Sequence, residues 1–253
     1  ALGLSYSDDS KDVSGNITII DAFAALPLSA AGLGALSGLQ FFPAFTNYPN
    51  ANEDGKFNSD DVTHNLSFTY AFSENASMYV SHSTGFKATS VNMTVDSRDS
   101  RYADPEEATN IEIGLKTSFS NGYLNLSYFD QSIEGFQSNV FSGTGFNLVN
   151  AGKESHKGIE LDTMFALSEN LMAKVSAMSL DPLYDSFKLG TCDTTGLAEP
   201  QYACPDGEIN VDYSGLTPAG VHKLSANANI VYSFSLANSL DGFFRLEYVY
   251  NDL

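Results

Sequence analysis

The chain has 253 residues and a formal net charge of −19, with 12 basic side chains against 31 acidic ones. A surface this acidic repels a phosphate backbone, so the composition argues against nucleic acid as a partner. The apolar share of 43% is ordinary for a folded chain, and a chain of this length fits a single β-barrel as well as two smaller domains.

Alternation of apolar and polar residues with a period of two dominates the chain, and it predicts strands rather than helices. The clearest runs are Asn65–Phe72, Asn110–Phe119 and Gly158–Phe165. We predict nine strands, at residues 1–7, 62–72, 76–84, 110–120, 123–135, 147–167, 171–184, 221–234 and 242–252.

The predicted connections alternate between short and long. The short ones are rich in Ser, Asn and Gly, as tight turns are, and comprise residues 73–75, 120–122, 168–170 and 235–241. The long ones are residues 8–61, 85–109, a shorter 136–146, and 185–220. Bacterial outer-membrane barrels sort their connections in this way, with periplasmic turns on one side and extracellular loops on the other. The pattern therefore indicates an all-β fold, an antiparallel transmembrane β-barrel segment.

The two faces of the predicted strands differ in charge. If Ile111 and Ile113 face lipid, the alternate residues face the lumen, and the reverse choice would place a Lys in lipid at a cost of about 2–4 kcal/mol. We therefore expect six charged residues to face the lumen: Glu112, Lys116, Glu160, Asp162, Arg245 and Glu247. The alternative is that the apolar face is the core of a soluble β protein, which leaves the sorting of the loops unexplained.

The number of predicted strands is odd, whereas a single-chain antiparallel barrel needs an even number to pair its first strand with its last. Two unpaired edges are poorly tolerated both in lipid and in water. We therefore expect this chain to be part of a larger barrel.

Cys192 and Cys204 lie in the long 185–220 loop with 11 residues between them. An extracellular loop is in an oxidising environment, so the pair predicts a disulfide worth roughly 3 kcal/mol in the chain-entropy model. A metal site is the alternative, but the nearest histidine, His222, lies 18 residues further on and there is no second Cys pair.

One segment resembles a calcium-binding loop in its spacing. Asn50, Asn52, Asp54 and Asp61 stand at positions 1, 3, 5 and 12, and Gly55 stands at position 6. The motif prefers Asp at position 1 and Glu at position 12, so an acidic, solvated loop is the simpler interpretation. No other metal, cofactor or catalytic motif is recognisable, and we expect the chain not to be an enzyme.

Three motifs follow one another in register with the predicted strands. The first is Tyr79–Lys87, followed by Asn92. The second is Pro105-Glu106, followed by Asn110–Lys116, and the third is Asn150-Ala151-Gly152, followed by Lys157–Leu161. Together they resemble the Tyr-x-Ser-x-Ser-x-Gly-Phe-Lys, Pro-Glu with Glu-x-Gly-x-Lys, and Asn-Ala-Gly with Gly-x-Glu elements of TonB-dependent outer-membrane receptors.

The resemblance covers essentially the whole chain, residues 1–253, and implies one β-barrel domain of the 22-stranded type. It also implies a plug domain and the energy-transducing protein TonB as partners of the intact protein, with outer-membrane lipid around it. No counterpart of the plug or of the TonB-binding segment is present, and the chain ends in Asn251-Asp252-Leu253 where the family usually ends in an aromatic residue. We therefore expect a middle-to-late segment of the barrel.

The implied function is active uptake of a large, scarce solute, such as a siderophore-like metal chelate or a glycan, across the outer membrane of a Gram-negative bacterium. The six lumen candidates would then border the plug, or they would form cross-strand ion pairs within the wall. Two other functions remain open: a passive porin or adhesin-like barrel, and a secreted soluble β protein that binds carbohydrate.

Overall fold

Nine long strands form one antiparallel sheet in the computed structural model. The structure describes residues 1–16, 23, 26–34, 36, 47–50, 53–92, 102–141, 146–193, 199–205, 208, 210–236 and 240–252. The strands are β1 (Leu2–Asp12), β2 (Lys56–Ser73), β3 (Ala76–Lys87), β4 (Glu106–Phe119), β5 (Gly122–Phe141), β6 (Phe146–Ser168), β7 (Leu171–Phe187), β8 (Leu224–Leu236) and β9 (Leu240–Asn251).

The order of the strands in the sheet is their order in the chain, so the predicted all-β meander of nine strands is confirmed. Two-residue turns join β2 to β3 at Glu74-Asn75, β4 to β5 at Ser120-Asn121, and β6 to β7 at Glu169-Asn170. We call this end of the sheet the turn end, and the opposite end the loop end. Within the described residues the sheet is open, because β1 pairs only with β2 and β9 only with β8.

Several strands reach further toward the loop end than the sequence predicts. β2 begins at Lys56 instead of residue 62, and β5 continues to Phe141 instead of ending at residue 135. The predicted loops 8–61, 85–109, 136–146 and 185–220 are therefore wrong in their bounds, and the connections run over 13–55, 88–105, 142–145 and 188–223. The added end of β1, Asp8–Asp12, carries polar residues on both faces, so it shows no apolar alternation although its backbone pairs with β2.

Short pieces of structure lie within the long connections. Three two-residue ladders join Gly15–Asn16 to Asn47–Tyr48, Ser90–Val91 to Tyr102–Ala103, and Gly190–Thr191 to Asn210–Val211. A single turn of 3-10 helix spans Pro200–Tyr202. Among the described residues, no helix is both long enough and apolar enough to cross a membrane.

One face of the sheet carries a belt of exposed apolar side chains from β1 to β9. Phe68 on β2 is 66% exposed and Leu246 on β9 is 68% exposed, and the residues between them on this face are largely Leu, Ile, Val and aromatic. The belt ends toward the loop end at Val62 on β2, at Ile111 on β4 and at Ile159 on β6. The paired side chains of His64 and His82, 2.7 Å apart, interrupt it between Val62 and Leu66. Soluble monomeric proteins rarely expose an apolar surface of this extent.

The buried core is small and lies at the loop end rather than between two layers. It consists of Phe136, Val140, Ala151 and Phe187, with Tyr184 packed against it. A single sheet has no second layer to bury its faces, so most of its stability comes from strand pairing and from whatever covers the apolar belt.

Candidate functional site

The polar face of the sheet brings the six predicted charged residues onto one surface. Lys116 lies opposite Asn125, and Asn125 lies opposite Asp162 on β6. Asp162 lies opposite Ser176, which leads across β8 to the face of β9 that carries Arg245 and Glu247. Glu112 and Glu160 share this face because they are an even number of residues from Lys116 and Asp162.

Tyr79 on β3 links two of the predicted residues. Its hydroxyl donates a hydrogen bond to the carboxylate of Glu112. The ammonium group of Lys116 lies 5.1 Å from the centre of the Tyr79 ring, within the range of a cation–π contact. The acid and the base are thus held by one aromatic side chain rather than by each other.

Glycine makes room for the aromatic rings on this face. Gly114 lies opposite Tyr79, and a Cβ atom at this position would collide with the Tyr79 ring. Gly158 lies opposite Phe129 in the same way, and a Cβ atom there would collide with the Phe129 ring. Both rings therefore lie flat across the neighbouring strand instead of projecting from the sheet.

Two further acidic residues, Asp162 and Glu247, are also paired within the sheet. The carboxylate of Asp162 accepts a hydrogen bond from Ser176 at 2.8 Å and lies 3.3 Å from the Lys174 ammonium. The carboxylate of Glu247 lies 3.2 Å from Arg245 and accepts a hydrogen bond from Asn227 at 3.0 Å.

Sequence reasoning missed the partners Tyr79, Lys174 and Asn227. The face of the strand on which each lies could be predicted from the sequence. Tyr79, for example, alternates with Met78 and Val80, so it must face away from the apolar belt. The pairing itself depends on the register between strands.

Glu160 and Asp162, with Met178 and Asn251, line a cavity of about 370 Å³ on this face.

The first two sequence motifs meet at the loop end. Lys87, which ends the first motif, lies 3.1 Å from the carboxylate of Glu106, which belongs to the second. The same carboxylate accepts a hydrogen bond from the backbone N–H of Gln137 at 2.8 Å. The Gln137 side chain in turn donates to the carbonyls of Ala88 at 3.1 Å and Asp104 at 2.9 Å.

Asn150, from the third motif, completes this cluster. Its amide nitrogen donates to the carbonyls of Asp104 at 2.9 Å and Gly135 at 2.6 Å, and its oxygen accepts from the Asp104 N–H at 2.7 Å. The cluster fastens the connection that precedes β4 to β5 and β6. The three motifs thus have a common structural role, which their separation along the chain conceals.

The predicted disulfide between Cys192 and Cys204 is confirmed, with 4.9 Å between the two Cα atoms. Tyr213 holds the disulfide loop against the wall: its ring covers Gly190, and its hydroxyl donates to the carbonyl of Thr191. Its ring centre is 5.5 Å from that of Tyr202 inside the loop and 5.4 Å from that of Phe187 on β7.

Two side chains next to this loop have shifted pKa values. Burial raises the pKa of Tyr213 above its usual value of 10. Hydrogen bonds from Ser214 lower the pKa of the neighbouring Asp212 carboxyl below its usual range. Both shifts favour the forms that make these contacts, a protonated Tyr213 that donates to Thr191 and a charged Asp212 that accepts from Ser214.

The calcium-like loop lies only partly within the described residues. Asn50 donates to Glu53 at 3.1 Å and Asp54 accepts from the Lys56 N–H at 3.0 Å, but Asn52 lies outside the described residues. Asp61 lies opposite Ser7 within β2, where five extended residues place it about 16 Å beyond Lys56. The described residues hold no group of three or more His, Cys, Asp or Glu side chains close enough to bind a metal ion.

A protein-family model matches nearly the whole chain. Residues 2–252 match the family model described as "TonB dependent receptor-like, beta-barrel". No curated protein sequence matches the chain.

Solved structures share the fold at low sequence identity. The ferric yersiniabactin uptake receptor FyuA from Yersinia pestis is 16% identical at a TM-score of 0.54, over 77% of this chain and 30% of that one. The FrpB iron transporter from Neisseria meningitidis (F5-1 variant) is 20% identical at 0.51, over 78% and 28%, and the copper transporter OprC is 11% identical at 0.51, over 80% and 32%. The chain thus spans about a third or less of each of these proteins, and the likeness shows the fold. With the family model matched along nearly its entire length, the chain belongs to the TonB-dependent receptor-like β-barrel family.

Proposed function

We propose that this chain is part of the wall of an outer-membrane receptor that actively takes up a large, scarce solute, such as a metal chelate or a glycan. The observation that carries the proposal is a sheet with an apolar belt on one face, interrupted near its loop end by the His64–His82 pair, and a paired polar network on the other, in a chain matched to the receptor family over residues 2–252. Such a sheet suits a barrel with lipid outside and an aqueous or protein-filled interior.

The belt would contact the lipid of the outer membrane of a Gram-negative bacterium. Beyond the belt, toward the loop end, the same face carries ion pairs such as Lys157–Asp130 at 3.2 Å and Lys153–Glu134 at 2.8 Å. Charged pairs suit the headgroup layer, whereas a lone charge in the hydrocarbon is costly. The long connections also lie at this end, so the loop end would be the extracellular end.

The two open edges require further strands, because unpaired backbone groups are costly in lipid. In the intact protein the polar face would then border the lumen and the plug domain, and TonB would supply the energy for uptake. The pairing of Glu112, Asp162 and Glu247 within the wall favours a structural role for these carboxylates over direct contact with a moving plug.

The printed names of FyuA, FrpB and OprC describe uptake or transport of ferric yersiniabactin, iron and copper by those proteins. They support metal chelates as the first solutes to test. We expect no enzymatic activity from the wall itself.

The test uses a Gram-negative strain in which the gene encoding the intact protein is deleted. Its growth is measured on a panel of metal chelates, each supplied as the sole source of the metal, and of glycans, each supplied as the sole source of carbon. We expect growth on one compound to be lost, and to be lost equally when TonB is deleted. Growth that needs this protein but not TonB would instead support a passive porin. Recovery of the protein from the periplasm or medium without detergent would overturn the membrane assignment.

A further inference from the structure

Two histidines, His64 on β2 and His82 on β3, form a pair within the apolar belt. They are 18 residues apart in the chain, and the register between the strands brings them together, with Leu66 opposite His82. His64 Nε2 lies 2.7 Å from His82 Nδ1, and the two ring planes differ by 17°. Both side chains are half-buried. Ionisable side chains are costly among residues that face lipid, so a pair of them at this place is a candidate functional site.

Thr84, two residues beyond His82 on the same face of β3, orients the His64 ring. Its hydroxyl oxygen accepts a hydrogen bond from the His64 backbone N–H at 3.0 Å and lies 3.3 Å from His64 Nδ1. A hydroxyl can donate to Nδ1 or accept from it. The contact therefore fits both tautomers of His64, including the one in which Nε2 has a free lone pair. Histidines that bind metal ions usually have such a partner on their other ring nitrogen.

The distance between the two facing nitrogens is close to that of two ligands on one metal ion. With metal–nitrogen bonds of about 2.0–2.1 Å and an angle of about 90–110° at the metal, the two nitrogens would be about 2.9–3.4 Å apart. The separation of 2.7 Å between His64 Nε2 and His82 Nδ1 is slightly shorter. Rotation of one ring can turn both lone pairs toward a common point, and the backbone ladder between β2 and β3 can stay as it is.

Two carboxylates lie on the same face, between this pair and the loop end. Asp60 is four residues before His64 on β2, and it lies directly opposite Asp8 on β1. Neither carboxylate makes an ion pair with any of the described residues. Their charge attracts cations to this edge of the belt and repels anions such as phosphate. A cation is therefore the more favourable ligand for the histidine pair.

We propose that His64 and His82 bind a divalent transition-metal ion through Nε2 and Nδ1 respectively. Imidazole suits Cu²⁺, Ni²⁺ and Zn²⁺, whereas Ca²⁺ and Mg²⁺ prefer oxygen ligands. Among the described residues no third His, Cys, Asp or Glu side chain joins the pair, so water completes the coordination. The ion lies on the apolar face, across the sheet from the polar network. It is therefore a bound ion rather than the transported solute, and the proposal does not depend on the receptor function.

The experiment is a calorimetric titration of the intact protein, purified in detergent without a histidine tag and freed of metal ions by a chelator. We expect Cu²⁺ to bind most tightly and Ni²⁺ and Zn²⁺ more weakly, with no competition from Ca²⁺ or Mg²⁺. The electron paramagnetic resonance spectrum of bound Cu²⁺ should show coupling to the nitrogens of two imidazoles. These measurements involve neither uptake nor TonB, so a negative result would reject the metal site and leave the receptor function standing.

Variants locate the ion at the pair. His64→Gln and His82→Gln should each weaken Cu²⁺ binding by at least about tenfold, because a single imidazole cannot chelate the ion. Thr84→Val should weaken it by a smaller factor. The matched control is His222→Gln, before β8 and outside the belt, which should leave the affinity unchanged.

A second measurement covers a variant that folds poorly. Cu²⁺ should raise the urea concentration at which the unchanged protein unfolds, since an ion that binds only the folded state stabilises it, and it should not do so for either histidine variant. Cu²⁺ affinity that both single variants retain, or coupling to one imidazole alone, would show adventitious binding by separate histidines and would overturn the proposal.

Discussion

At the scale of single residues, glycine determines the shape of the polar face. Gly114 and Gly158 leave the space in which the rings of Tyr79 and Phe129 lie. Because Tyr79 holds both Glu112 and Lys116, a side chain at Gly114 would displace the centre of that network.

We expect Gly114→Ala to lower the free energy of unfolding by about 1–3 kcal/mol, since the ring must leave its place and its hydrogen bond. The chain has no tryptophan, so urea unfolding in detergent is followed by circular dichroism. Gly34→Ala, where a Cβ atom meets nothing within 4 Å, is the control and should have little effect. If Tyr79→Ser does not relieve the loss caused by Gly114→Ala, the collision with the ring is not its cause.

Asn150 is the residue on which the loop-end cluster depends, because its amide nitrogen serves two carbonyls and its oxygen serves an N–H. Asn150→Asp places carboxylate charge against two carbonyl oxygens, so we expect a loss of roughly 2–4 kcal/mol in stability. Amide hydrogen exchange should accelerate more near Asp104 than in the rest of the sheet. Asn170→Asp in the exposed β6–β7 turn is the control, and equal losses for both variants would contradict the role of Asn150.

The residues that could be predicted from the sequence are those whose role follows from strand phase or from covalent chemistry. The common face of Glu112, Lys116 and Asp162 follows from a period of two, and the Cys192–Cys204 disulfide from an isolated pair of cysteines. The pairing of Asp162 with Lys174, and the meeting of Lys87 with Glu106, depend on register and on loop folding. Neither was accessible from spacing along one chain.

At the scale of elements, the disulfide loop is held at both ends, by the Cys192–Cys204 bond and by Tyr213 over Gly190. Its neighbours β6 and β7 are paired along most of their length. The loop and the wall should therefore respond differently to loss of the disulfide.

We expect the double change Cys192→Ser and Cys204→Ser to lower stability by up to about 3 kcal/mol, through greater freedom of the unfolded chain. Amide exchange should accelerate between residues 192 and 204 and change little in β6 and β7. The variant should no longer respond to a reducing agent, whereas the unchanged protein should then acquire the exchange pattern of the variant. Unchanged exchange in the loop would mean that Tyr213 alone holds it.

The strand ends show why element limits were harder to predict than element number. The apolar period that reveals a strand is present only where one face meets lipid or a core. At Asp8–Asp12 and Asn58–Asp61 both faces are polar, and only the backbone ladder between β1 and β2 keeps the chain extended. Composition carries no sign of that ladder.

At the scale of the whole molecule, the two faces of the sheet should differ most in their tolerance of charge. Phe68 and Ser67 are neighbours on β2 at one depth, but Phe68 lies in the apolar belt and Ser67 on the polar face. They offer a matched pair of sites for the same substitution.

We expect Phe68→Arg to destabilise the intact protein in lipid vesicles by about 2–4 kcal/mol, and Ser67→Arg to have a much smaller effect. The measurement is the urea dependence of the folded fraction after reconstitution. Equal effects of the two substitutions would show that the belt does not face lipid, and would favour a soluble protein.

The slope of the apolar belt defines the inclination of the strands. The row of paired residues through Ile111 meets β2 at Leu66 and β6 at Lys157. The last apolar residue on the belt face of β2 is Val62, four residues beyond Leu66 and past His64, which pairs with His82. On β6 it is Ile159, two residues short of Lys157. Six residues of rise, about 20 Å, over four strand spacings, about 19 Å, correspond to a tilt of about 45° against the edge of the belt. A bilayer that follows this edge is therefore crossed obliquely, which is the stagger that closing a sheet into a cylinder requires.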